Sequence, residues 1–112
     1  MSLRFTTAYP HQLLSAFKKL IDDGHIMTWT YDADGDFTHS PDQWRGAAWF
    51  RPVFGIGGLE FYILPSQNVP ISVIVYAVYH GRFAEAMLSH CDKLFADCSV
   101  TALANDPDLI AA

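Results

Sequence analysis

Charge is sparse in this chain of 112 residues, and basic charge is the sparser kind. Only 17% of the residues are charged, with 7 Lys and Arg against 12 Asp and Glu, for a formal net charge of -5. That balance argues against nucleic acid as a partner, because such affinity comes largely from Lys and Arg neutralising phosphates. Cysteine is nearly absent as well. The two present, Cys91 and Cys98, cannot build a disulfide framework. Residues 1–7 contain no apolar stretch of the kind that opens a secretory signal. The longest apolar run, Val69 to Tyr79 with Pro70 near its start, falls short of the ~20 residues a membrane helix needs. These absences point to a cytoplasmic protein with reduced thiols and no membrane contact.

Apolar and aromatic side chains are plentiful: 51% of the chain is hydrophobic and 14% is aromatic. A disordered chain would be polar and poor in aromatics. No repeat, low-complexity stretch or linker divides the sequence, so residues 1–112 are read as a single α+β domain.

Residues 3–7 read as a short strand or an ordered tail. Pro10 opens a helix over 10–23, where Leu13, Leu14, Phe17, Leu20 and Ile21 form one apolar stripe and Gly24 supplies the stop. Period-two alternation at Met27, Trp29 and Tyr31 then marks a strand, and Asp34-Gly35 marks a hairpin turn before a return strand at 37–39. Residues 46–54 form a strand in which Pro52 limits pairing on one side. Gly55-Ile56-Gly57-Gly58 is a turn, and Leu59, Phe61 and Ile63 line the next strand. The Val-, Ile- and Tyr-rich stretch 71–78 reads as a central strand. A second helix over 82–95 carries Phe83, Met87, Leu88, Cys91, Leu94 and Phe95 on its stripe, and 98–104 is a last strand. The expected fold is a two-layer α+β sandwich, with an antiparallel sheet of about five strands and two helices packed on one face.

Candidate chemistry is thin. No GxSxG, P-loop, GxGxxG or HExxH signature is present. Asp32, Asp34 and Asp36 have the spacing that opens an EF-hand loop, but Phe37 and Gln43 stand where that loop needs Gly and Glu. The stretch is therefore read as an exposed hairpin turn with no metal. His80, His90, Cys91 and Cys98 are zinc-ligand types without zinc-ligand spacing; Cys98, outside the helix, is the better candidate for a reactive thiol, though both cysteines are read as structural. His80 and Arg82, at the expected junction of strand 71–78 with the second helix, could hold an anion and move a proton. Arg51, set among aromatics, could stack on a ring, pair with Glu60 across the hairpin or join His80 and Arg82 at an anionic ligand.

Two functions follow as expectations. The first is a small non-catalytic binding or protein-interaction module without a cofactor. It is expected to be a homodimer through Trp29, Trp49, Phe61 and Tyr62, since one helical layer cannot easily cover so many aromatics. Its acidity also suits a basic protein partner. The second is a small enzyme or anionic-ligand binder with a pocket built from His80, Arg82 and Arg51.

Overall fold

The computed structural model describes residues 2–67 and 69–102. The elements run β1 (Leu3–Thr6), α1 (Pro10–Asp22), β2 (Trp29–Tyr31), β3 (Phe37–His39), β4 (Ala48–Gly55), β5 (Gly58–Pro65), α2 (Val73–His90), a 3-10 turn (Asp92–Leu94) and β6 (Asp97–Val100). The strands form one six-stranded sheet in the order β2-β3-β4-β5-β1-β6, every neighbouring pair antiparallel.

Local signals explain most of these boundaries. Pro10 occupies the first turn of α1, where its missing N–H has no intrahelical partner. The helix ends in a Schellman arrangement. Gly24, at φ +81, donates to the Ile21 carbonyl and His25 donates to Leu20. The β2–β3 turn is held by Asp32, whose Oδ1 accepts from the backbone N–H of Asp34 and of Asp36. β3 pairs with β4 only at Phe37 and Phe50, two residues before Pro52, which has no N–H to offer.

Register sorts the side chains onto two faces. Leu3 and Phe5 of β1 stand opposite Phe61 and Leu59 of β5, and Phe50 stands opposite Ile63. All six are buried on the helix side of the sheet. Phe17 of α1 and Phe83 of α2 touch each other at 5.1 Å and both touch Phe37, so the two helices share one face and one core. The opposite face bears Arg4, Trp49, Arg51, Glu60, Tyr62 and Leu64, and among the described residues no second helical layer lies on it.

The helical layer departs from expectation in three respects. Residues 73–78 are not a central strand but the first turns of α2, an 18-residue helix ~27 Å long. Its N-cap is Ser72, whose Oγ accepts from the Val75 N–H at 3.1 Å. Burial of Tyr79, Phe83, Ala86 and Met87 at helical spacing overrides the strand preference of the Val and Ile residues. Two tyrosines tie the helix to the rest of the fold. The Tyr76 hydroxyl donates to the Thr101 carbonyl at 2.7 Å. The Tyr79 hydroxyl donates to the Trp44 carbonyl and lies 3.0 Å from Thr38 Oγ1. The helix also stops earlier than 95, at His90, so Leu94 belongs to the 3-10 turn and Phe95 follows it. Leu88, expected in the core, is 56% exposed because it lies on the far side of α2 from Phe83.

Candidate functional site

The C-terminal half of α2 runs past the end of the β2–β3 hairpin and leaves an open cleft of about 420 Å³. Thr28 and His39 of the hairpin form one wall, and Pro41 and Trp44 of the following loop form another. Arg82, Glu85, Ser89 and His90 supply the third, from successive turns of α2. Arg82, Glu85 and Ser89 are three and four residues apart, so one side of the helix presents them together.

His39 is the buried titratable group of this cleft, at 5% exposure. Its ring lies 4.6 Å from that of Trp29. Nδ1 donates to the Thr28 carbonyl at 2.7 Å, which places the proton on Nδ1 and leaves Nε2 as the lone-pair nitrogen. Burial pulls the pKa of His39 below its ordinary 6.5. The Thr28 bond opposes that shift, Arg82 adds to it and Glu85 opposes it. The unfolded chain therefore binds the proton more readily than the folded one. Stability is expected to be fully present above ~pH 6.5 and to fall as the pH drops toward the folded-state pKa. Urea melts at about pH 7.5 and about pH 5.5 check this, and His39→Gln should flatten the difference between them.

The residues singled out by sequence separate in space. Arg82 lines the cleft, exposed and 3.5 Å from Glu85. His80 is buried on the core side of α2, its Nδ1 2.7 Å from the Tyr76 carbonyl and its Nε2 2.7 Å from Ser2 Oγ. Arg51 is on the opposite face of the sheet, where Nε and Nη2 grip the two carboxylate oxygens of Asp36 at 3.0 and 2.8 Å. This fork holds the Arg51 guanidinium protonated, above its already high ordinary pKa. The expected Arg51–Glu60 pair does not form, because Glu60 faces Arg4 across β1 and pairs with it instead. His80, Arg82 and Arg51 thus make no common pocket. His39, Trp44, Glu85 and Ser89 accompany Arg82, and nothing in the spacing of the chain announces that grouping.

The aromatic set divides in the same way. Trp29 and Phe61 are core residues, 1% and 0% exposed, because the longer α2 lays Tyr79 and Phe83 over them. Trp49 and Tyr62 are half-buried on the open face of the sheet. The carboxylates of Asp32, Asp34 and Asp36 converge within 4.8 Å. Asp36 is buried rather than exposed, since Arg51 folds over it. Both cysteines are free, and burial pushes each thiol up, so neither is poised as a thiolate at neutral pH. Cys91 is buried and its neighbour His90 exposed, so the two diverge. Among the described residues, no helix is long and apolar enough to cross a membrane.

Compared with known proteins, the chain matches no family model, no curated protein and no solved structure.

Proposed function

We propose that the chain is a non-catalytic interaction module that pairs with a second copy of itself through the outer side of α2. The observation that carries this reading is the row Ile74, Ala77, Gly81, Ala84 and Leu88. At ~100° per residue these positions fall on one stripe, turned away from the buried stripe of Tyr79, Phe83 and Met87. Ile74 is 63% exposed and Leu88 56%, and Val73 beside them is 82% exposed. Exposed apolar side chains that form a stripe mark a surface meant to be covered.

The stripe is also close to symmetric about Gly81, with small residues at its centre and large ones at its ends. In an antiparallel two-fold pair, Ile74 of one copy meets Leu88 of the other, Ala77 meets Ala84, and Gly81 meets Gly81. That is the self-complementarity a two-fold contact demands. Among the described residues Gly81 has no packing reason to be glycine, since a Cβ there would meet none of them within 4 Å. Glycine inside a helix costs about 1 kcal/mol against alanine. Close approach of a second helix accounts for that cost.

Sedimentation equilibrium at micromolar concentration tests the proposal. The expected result is a dimer, twice the 12.5 kDa chain, converted to monomer by Ile74→Glu with Leu88→Glu, with the circular dichroism unchanged. The interface should exceed ~1,000 Å² in total. A wild-type monomer overturns the proposal. A dimer that survives these substitutions but is lost on Trp49→Arg would move the contact to the open sheet face, and retention only of a basic protein would replace self-association by a hetero-complex.

A further inference from the structure

We infer that the cleft between α2 and the β2–β3 hairpin binds a small zwitterion of amino-acid size, with Arg82 taking its carboxylate and Glu85 its ammonium group. The volume, about 420 Å³, lies in the ~300–1,000 Å³ range of small-molecule sites. The charge arrangement selects the ligand class. Arg82 and Glu85 stand side by side on one wall, 3.5 Å apart and both exposed, too far and too wet to satisfy each other strongly. An anion alone would face the Glu85 carboxylate, and a cation alone would face the Arg82 guanidinium. A ligand carrying both charges satisfies both groups.

The rest of the cleft fits the same chemistry. His39 is buried in the wall, with Nδ1 committed to Thr28, so the acceptor it keeps is Nε2, suited to an ammonium N–H. Ser89 adds a hydroxyl that can donate to a carboxylate. Trp44 and Pro41 supply apolar surface for the ligand's side chain. His39, Arg82 and Glu85 line the same cleft, so one small ligand can reach all three. The His39 anchor is rigid, because Thr28 O also accepts from the Ser40 N–H at 2.7 Å and pins the hairpin end. The inference rests on the cleft rather than on self-association: Arg82 and Ser89 lie to one side of the Ile74–Leu88 stripe, and Glu85 borders it.

Two-dimensional amide NMR of the full chain, titrated with each common L-amino acid in turn, is the test. At least one should give saturable shifts at residues 39–44 and 82–90, with a Kd of ~1 mM or tighter. For that amino acid, the analogue lacking the carboxylate and the analogue lacking the ammonium should each bind about tenfold more weakly or worse. Arg82→Gln and Glu85→Gln, both at exposed positions, should each weaken the amino acid by a similar factor while leaving the spectrum folded. Arg82→Gln should leave binding of the amine analogue unreduced. The inference is overturned if no amino acid gives saturable shifts at these residues, if a singly charged analogue binds as well as the amino acid, or if neither substitution weakens binding.

Discussion

Replacing Phe83 with Ala is expected to lower stability by ~3–5 kcal/mol, the range for truncating a fully buried aromatic side chain. Phe83 is fully buried, and its ring lies against those of Phe5, Phe17, Trp29, Phe37, Phe50 and Phe61, at centroid distances between 4.8 and 6.2 Å. Those partners come from β1, α1, β2, β3, β4 and β5, so one side chain joins both layers. Truncation removes apolar area from burial and leaves a void that six rings held in other contacts cannot close. Against a typical domain stability of ~5–15 kcal/mol, the loss is a large share of the whole. Urea denaturation read by tryptophan fluorescence measures it, with Leu88→Ala as the contrast. Leu88 is exposed, so its loss should cost no more than ~0.5 kcal/mol in the monomer. Equal effects at the two positions would contradict the core described here.

The second large effect is expected from Arg4→Met, which should cost ~2–3 kcal/mol. Arg4 and Glu60 face each other across β1 and β5, and Arg4 Nη1 donates to Glu60 Oε2. Nη2 also donates to the Ile56 carbonyl at 2.8 Å. Glu60 is 8% exposed, so removing its partner strands a buried carboxylate. Breaking a fully buried pair costs about 3–5 kcal/mol, and the wetter position of Arg4 reduces that figure. Two glycines make room for the pair. A Cβ on Gly58 would come within 2.6 Å of Arg4 Cζ, and one on Gly55 within 2.6 Å of Glu60 Oε2. Gly58→Ala should therefore destabilise by pushing the guanidinium off Glu60, and should add little in the Arg4→Met background. Chemical denaturation of the single and double variants gives the coupling. Additive losses would mean that Gly58 matters for the turn alone.

The sequence by itself determined the elements whose signals are local. The α1 stripe of Leu13, Leu14 and Phe17, the Pro10 start and the Gly24 stop are legible because a helix is decided within its own turns. The two hairpins are legible because Asp34-Gly35 and the Gly55–Gly58 turn sit between alternating runs. Those features were enough for a two-layer α+β class. The run from Ile71 to Val78 was a different matter, since a segment nearly devoid of polar residues satisfies a period of 2 and a period of 3.6 alike. Only the core chose between them, by burying Tyr79, Phe83 and Met87 on one helical stripe, and the Ser72 cap was the one local clue.

Pairing between distant elements was likewise a tertiary decision. With β1 placed between β5 and β6, Glu60 faces Arg4, and Arg51 is left for Asp36. The cleft arises in the same way. His39 ends a strand and Arg82 and Glu85 lie far along the chain, and the length and path of α2 bring them together. Charge and aromatic content can be counted from a sequence, but which groups face one another depends on sheet order and helix direction. Those are set by burial summed over the whole core rather than by any short stretch of residues.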